Sequence, residues 1–234
     1  MMKSALKWLG LLGLIWPLLG MAEAKTDASS AFADPQQVVR HTAETVLAEV
    51  GARKAELDAS PSLIYPLVER TVVPRFDFES MTRSAMGRFW RQASAQQQQR
   101  LIVEFRELLV RTYATALLGY SGQQIEYPPM RSPDNATNVT VPTRITNSGG
   151  PPIPISYRLK LRGEGKWLVY DVVIDNVSLV TNYRSSFARI IAEGAATEKN
   201  QAKRMSAGIE NLIRSLADKN DTIGFRDDEQ GQAA

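Results

Sequence analysis

The sequence predicts an α+β domain with helices packed on one face of a four-stranded antiparallel sheet. Two observations lead there. The apolar period shifts from about 3.6 residues to about 2 near Gln124, and back again near Ser178. Helical patterns therefore flank one block of alternating strands, the arrangement of a segregated α+β domain.

The first helix starts at Asp34-Pro35-Gln36-Gln37, with Asp34 as cap, proline at the first position and Gln37 three residues after the cap. Val39, Ala43, Val46 and Val50 then recur at helical spacing to about Leu57. Ser60-Pro61 opens a second helix carrying Leu63, Ile64, Leu67 and Val68, and Pro74 ends it. A short third helix spans Phe78 to Met86, closed by Gly87. Ser94 caps a fourth, with Gln97 completing a capping box and the glutamines at 96–99 forming a solvated first turn. Its stripe of Leu101, Phe105, Leu108, Leu109, Thr112, Ala116 and Leu117 runs to about Tyr120.

The strands follow. Gln124 to Tyr127 is short. Val139, Val141, Thr143 and Ile145 alternate with more polar residues, and Pro142 calls for an edge position or a bulge. After the turn at Asn147-Ser148-Gly149-Gly150, Ile153, Ile155, Tyr157, Leu159 and Leu161 share one face. After Gly163-Glu164-Gly165, Leu168, Tyr170, Val172 and Ile174 alternate with Trp167, Val169, Asp171, Val173 and Asp175. A fifth helix begins at Ser178 with Val180, Tyr183, Phe187, Ile190 and Ile191 on its stripe. Residues 193–204 show no apolar stripe and read as a loop or as a solvated extension of that helix. The last helix, about 205–219, carries Ile209, Leu212, Ile213 and Leu216. The single domain therefore covers 34–219, and residues 220–234 are expected to be a polar tail. The helices must cover the apolar sheet face, and pattern alone leaves open whether the space between the layers is filled or held open for a ligand.

Ahead of the domain, Lys3 and Lys7 precede an apolar run from Trp8 to Leu19, and Ala22-Glu23-Ala24 follows. The run falls short of the roughly 20 apolar residues that a spanning helix needs. Residues 1–24 therefore read as a cleaved secretory signal, the opposing reading being an uncleaved anchor, and 25–33 as a small, polar, flexible lead-in. Removing Lys3, Lys7 and Glu23 with the signal lowers the formal net charge from +3 to +2. So mild a charge, without a clustered basic stripe, gives no reason to expect a nucleic-acid partner.

Composition also narrows the chemistry. There is no cysteine, hence no disulfide framework, thiolate metal site or thiol nucleophile. His41 is the single histidine, set among polar neighbours on a helical pattern. No His-containing triad or multi-His metal site can form except around it. No phosphate-binding loop, dinucleotide glycine fingerprint or Gly-x-Ser-x-Gly elbow occurs. Asp171 and Asp175, four apart on a strand, point to one face and are a candidate acid–base pair, although solvated strand residues show the same spacing. No cofactor is expected.

Several blocks carry a resemblance. They are Val73-Pro74-Arg75-Phe76-Asp77-Phe78, Gly87-Arg88-Phe89-Trp90-Arg91 with the glutamine-rich cap, and Phe105-Arg106-Glu107-Leu108-Leu109-Val110-Arg111-Thr112-Tyr113-Ala114. Then come Tyr157-Arg158-Leu159, Trp167-Leu168-Val169-Tyr170-Asp171-Val172 and Ser178-Leu179-Val180-Thr181-Asn182-Tyr183-Arg184-Ser185-Ser186-Phe187. In order and spacing, the stretch from Val73 to Ala192 resembles the MlaC (toluene-tolerance) family of periplasmic phospholipid-binding proteins. Residues 193–207 depart from the family pattern and look like an insertion. The resemblance implies a soluble periplasmic carrier that shuttles phospholipid between an outer-membrane lipoprotein complex and an inner-membrane ABC transporter with an MCE-domain subunit. Its role would be to maintain outer-membrane lipid asymmetry. It also implies a lipid cavity between sheet and helices.

The wall of such a cavity is expected from the residues whose phase faces the gap between the layers. These are Phe105, Leu109, Tyr113, Val139, Val141, Ile145, Ile155, Tyr157, Leu159, Val172, Ile174, Val180 and Phe187. Each of these is equally an ordinary core position. Arg83, Arg88, Arg91, Arg106 and Arg111 are candidate phosphate partners by composition alone, against the plainer reading as solvated helix charges. Trp90 and Trp167 are expected in the core. Two other functions fit an α+β cavity: an enzyme of the NTF2-like type, which needs a carboxylate or histidine inside, and a periplasmic chaperone or adaptor for apolar segments.

Overall fold

The computed structural model describes residues 34–130, 135–146 and 150–232, without side-chain positions for 164 and 224–232. The expected signal segment, the lead-in 25–33 and most of the turn at 147–150 lie outside the described residues. Among those described there are seven α-helices and one five-stranded antiparallel sheet of order β1-β2-β3-β4-β5.

The helices begin where the sequence supplies caps. Asp34 accepts from the Gln36 N–H at the start of α1 (Pro35–Ala52). Arg53 then interrupts the path to Leu57, and a separate α2 (Lys54–Ala59) turns Leu57 into the same core as Val50. A 3-10 turn at Pro61–Leu63 leads into α3 (Ile64–Thr71), and a second, Val73–Arg75, ends it at Pro74. Gly87 closes α4 (Phe78–Met86) with φ of +53°, a left-handed value that costs glycine little. Ser94 and Gln97 form the full capping box of α5 (Ala95–Ala114), which tightens to a 3-10 turn over Thr115–Gly119.

In the sheet, β1 (Gln124–Glu126) pairs only with the far end of β2 (Asn138–Thr146). Pro142 thus sits where β1 no longer runs, and its missing N–H breaks no ladder bond on that side. The sheet continues with β3 (Ile153–Arg162) and β4 (Lys166–Ile174). Between Arg158 and Leu159 the register slips by one: Arg158 faces Asp171 while Leu159 faces Val169. Tyr170 is the extra residue of a β-bulge. The expected alternation of Leu168, Tyr170, Val172 and Ile174 on one face is corrected accordingly. Trp167 and Val169 join Val172 and Ile174 on the apolar side.

The fifth strand, one more than expected, is β5 (Val177–Ser178). It folds back on β4 through Asp175-Asn176, both with positive φ (47° and 65°), the conformation of a tight two-residue hairpin turn. Asp175 is therefore a turn residue, and the candidate pair with Asp171 on one strand face does not form.

Asp171 has a different task. It is 2% exposed. One carboxylate oxygen accepts from Arg158 Nη1 (3.0 Å) and Ser178 Oγ (2.7 Å), and the other from the Val180 N–H (3.2 Å). Ser178 in turn caps α6 (Leu179–Thr197). The carboxylate ties β3, β4 and the start of α6 together. It also satisfies a helix N-terminus that would otherwise leave bare donors.

Residues 193–207 comprise the end of α6, a 3-10 turn at Gln201–Lys203 and the start of α7 (Arg204–Gln232). The two helices approach closely because both contribute glycine. A Cβ at Gly194 would lie 2.3 Å from that of Asn211, and one at Gly208 would lie 2.4 Å from the Ile191 carbonyl oxygen. The helix runs past Lys219 into the expected polar tail. Asn220 is buried, its Nδ2 donating to the Glu104 carbonyl (3.1 Å) and carboxylate (3.0 Å).

A second carboxylate joins the layers. Asp77 caps α4 through the Ser80 N–H, accepts from Arg162 Nε of β3 at 2.6 Å, and its own N–H donates to the Val169 carbonyl of β4. Burial alone pushes its carboxyl upward. The Ser80 N–H and the Arg162 guanidinium outweigh that and hold it below the ordinary carboxylate range. A depressed folded-state value means stability that is present at neutral pH and lost as pH falls through that lowered value. Asp77→Ala is expected to cost about 1–3 kcal/mol at neutral pH. In denaturant titrations the difference from the parent should shrink below about pH 4. A difference that stayed constant with pH would mean that the charge contributes nothing.

Candidate functional site

The sheet face toward the helices is read best as rows of paired residues. Leu161 and Trp167 form one end, followed by Val139–Leu159–Val169, Val141–Tyr157–Val172, Thr143–Ile155–Ile174 and finally Ile125–Ile145–Ile153. Packing changes along this series. Leu159 and Val141 are fully buried, whereas Ile153 is 48% exposed. The Trp167 end is solid, with Val38 and Val39 of α1 packed against it. Toward Ile153 the layers part.

Between them lies a cavity of about 520 Å³, within the usual range for small-molecule sites of about 300–1,000 Å³. Val169, Val172, Ile174, Tyr157, Ile155, Ile153, Ile145 and Ile125 form its sheet wall. The opposite wall comes from α1 (Val39, Ala43, Val46, Leu47), the α3–α4 connection (Val72, Val73, Phe76) with Phe78 at the start of α4, the C-terminal part of α5 (Leu109, Tyr113) and Leu117 of the 3-10 turn after it. Each helix contributes through its apolar stripe, set by 3.6-residue periodicity.

Few polar atoms reach this space, and several are already engaged. Thr42 Oγ1 donates to the Val38 carbonyl at 2.7 Å. Gln123 exchanges hydrogen bonds with Ser121. Burial pushes the Tyr157 hydroxyl up to about 12, so it stays neutral. Among the described lining residues Arg75 is the one charged side chain, and none is a carboxylate or a histidine. Burial lowers the Arg75 pKa from its ordinary value, though arginine remains charged.

Of the wall residues expected from sequence, Leu109, Tyr113, Ile145, Ile155, Tyr157, Val172 and Ile174 line the cavity. Val139, Val141 and Leu159 are on the correct sheet face but in its solid part. Phe105, Val180 and Phe187 belong to a separate core between α4, α5, α6 and α7. There the Phe105 ring meets Tyr183 and Phe187 edge-on at 4.9 and 5.1 Å. Trp90 and Trp167 are core residues, each 8% exposed.

None of the arginines proposed from composition lines the cavity. Arg83 pairs with Glu79, Arg106 with Glu69 and Arg111 with Glu107, while Arg88 lies over the Phe89 ring. Arg75 was legible only as part of the Val-Pro-Arg-Phe-Asp-Phe block. The contribution of α1 had no signal beyond its amphipathic stripe, because which helix covers which part of the sheet is decided by tertiary packing.

Fold and site together define an α+β domain built around an apolar, ligand-sized cavity. The chain belongs to the MlaC family: the family profile, described as MlaC protein, matches residues 40–218. A toluene tolerance protein, ttg2D of Pseudomonas putida, is 30% identical over 155 residues, covering 66% of this chain and 71% of the relative. The intermembrane phospholipid transport system binding protein MlaC of Haemophilus influenzae is 25% identical over 169 residues, covering 71% and 78%. Among solved structures, the phospholipid-binding protein of Ralstonia solanacearum in complex with a phospholipid superposes with a TM-score of 0.70 at 31% identity. That match covers 82% of this chain and 99% of the other. Among the described residues no helix is long and apolar enough to cross a membrane.

Proposed function

We propose that this protein is a periplasmic phospholipid carrier. It would move lipid between an outer-membrane lipoprotein complex and an inner-membrane ABC transporter with an MCE-domain subunit, and so maintain outer-membrane lipid asymmetry. The observation that carries the reading is the cavity itself: bordered by the half-exposed Ile153, walled by aliphatic and aromatic side chains from sheet and helices, and poor in polar atoms. Family membership and the phospholipid held by the Ralstonia structure support it. The basic start, apolar run and Ala22-Glu23-Ala24 support export.

The energetics favour such a container. Each buried methylene is worth about 0.8 kcal/mol, so a 16-carbon chain represents about 12 kcal/mol against leaving the bilayer for water. A wall of Val, Ile, Leu and Phe offers an environment close to that of the bilayer interior. Uptake and release then lie close to balance, as a carrier requires. The enzyme alternative needs an acid or base in the cavity, and the described lining residues include no carboxylate or imidazole. We therefore assign no catalytic role.

Purification of the exported protein without detergent, followed by organic extraction and mass spectrometry, tests this reading. Phospholipid in near-stoichiometric amount is expected, on a chain beginning near Lys25. Protein recovered lipid-free, or retaining residues 1–24, would overturn the carrier assignment or the assignment of a cleaved signal respectively.

A further inference from the structure

The Gly87-Arg88-Phe89-Trp90-Arg91 block takes no part in the cavity wall. It forms a 3-10 helix, Gly87–Gln92, between α4 and α5. Side chains three apart on such a helix eclipse one another, so Arg88 and Arg91 share one face, and both are exposed. Phe89 and Trp90 are buried in the helical core beneath them. Gln98 of α5 fixes the end of the turn, its Nε2 donating to the Trp90 carbonyl at 2.9 Å. Arg83 and Arg184, also exposed, border the same turn. The Arg83 guanidinium lies 5.6 Å from the centre of the Trp90 ring. The Arg184 side chain passes 3.6 Å from where a Cβ on Gly87 would stand, and its Nε donates to the Ser84 carbonyl at 2.9 Å. Glu79 pairs with Arg83 at 2.7 Å. Among the described residues no carboxylate pairs with Arg88, Arg91 or Arg184.

We propose that this turn is a docking surface for an anionic bilayer, separate from the cavity. The guanidiniums of Arg83, Arg88, Arg91 and Arg184 gather positive charge at one place on a chain whose formal net charge is only +3. The aromatic residues of the turn face inward, so the patch presents charge without an apolar anchor. A protein partner is gripped mainly through desolvated aromatic or arginine anchors seated in pockets. A bilayer surface is a fluid array of anionic headgroups, and it attracts basic residues by charge alone. The contact is therefore loose and sensitive to salt, with each arginine contributing about fivefold in affinity. It does not depend on what the cavity holds.

The test mixes the exported protein with vesicles of dioleoylphosphatidylcholine, alone or with dioleoylphosphatidylglycerol added, and reads the bound fraction by co-sedimentation. In about 0.1 M salt the parent should bind the anionic vesicles and not the neutral ones, and binding should vanish in about 1 M salt, where the screening length falls to about 3 Å. The double variant Arg88→Gln, Arg91→Gln should bind about 25-fold more weakly. Arg88→Lys with Arg91→Lys should stay within about threefold of the parent, because the bilayer reads charge. Circular dichroism reads the fold, and Arg91→Gln alone, with a loss of about fivefold, serves if the double glutamine variant does not fold. Lipid extracted from the cavity should be the same in parent and variants, which keeps this result apart from that of the carrier test. A parent that ignores anionic vesicles, or a folded glutamine variant that binds them as the parent does, overturns the proposal. So does a lysine variant as weak as the glutamine one, the mark of a fork-shaped contact made for a protein partner.

Discussion

Ile155→Asp is expected to leave a folded protein that no longer holds lipid. Ile155 lies midway along the sheet wall, paired with Thr143 and Ile174 and partly accessible from the cavity. A carboxylate there stays hydrated while the cavity is empty. It must be stripped of water, or protonated, when acyl chains enter, at a cost of several kcal/mol. That corresponds to a loss of bound phospholipid of about a hundredfold or more. Extraction and mass spectrometry read the lipid, and circular dichroism reads the fold. Stoichiometric lipid in a folded Ile155→Asp protein would show that the chains lie elsewhere.

Leu159, four residues along the same strand and on the same face, should respond in the opposite way. It is fully buried between Val139 and Val169 in the solid part of the layer. Leu159→Ala leaves a void among side chains that cannot collapse freely, at a cost of about 2–5 kcal/mol. For a domain of this size that lowers the thermal midpoint by roughly 5–20 °C. Ile155→Ala only widens a space that already exists and should cost clearly less. Equal losses at the two positions would contradict the division of the sheet into packed and hollow parts.

That division marks the boundary of what the sequence discloses. Caps at Asp34, Ser94 and Ser178 locate three helix starts, because a side-chain acceptor followed by an apolar stripe is a local signal. Alternation likewise identifies Ile145, Ile155, Tyr157, Val172 and Ile174 as facing the helices. Period alone cannot separate wall from floor, so Leu159 and Val141 read the same as Ile155. Phe105 and Phe187 misled for a related reason: α5 has packed surface toward α6 and α7 as well as toward the cavity, and one stripe serves both. The hairpin at Asp175-Asn176 was hidden by its shortness, since two strand residues after a two-residue turn carry too little pattern to count as a strand. The α1–α2 break at Arg53 has no sequence mark other than nearby Gly51.

The extra residue at Tyr170 lies between the rows Val139–Leu159–Val169 and Val141–Tyr157–Val172. A bulge lengthens one strand against its neighbour, which bends the pair and increases its twist. It also shifts the parity of β4, so that Val169 before the extra residue and Val172 after it both face the cavity. Which side chains of β4 meet the cavity is thus set by a count of residues, one more on β4 than on β3 at this point.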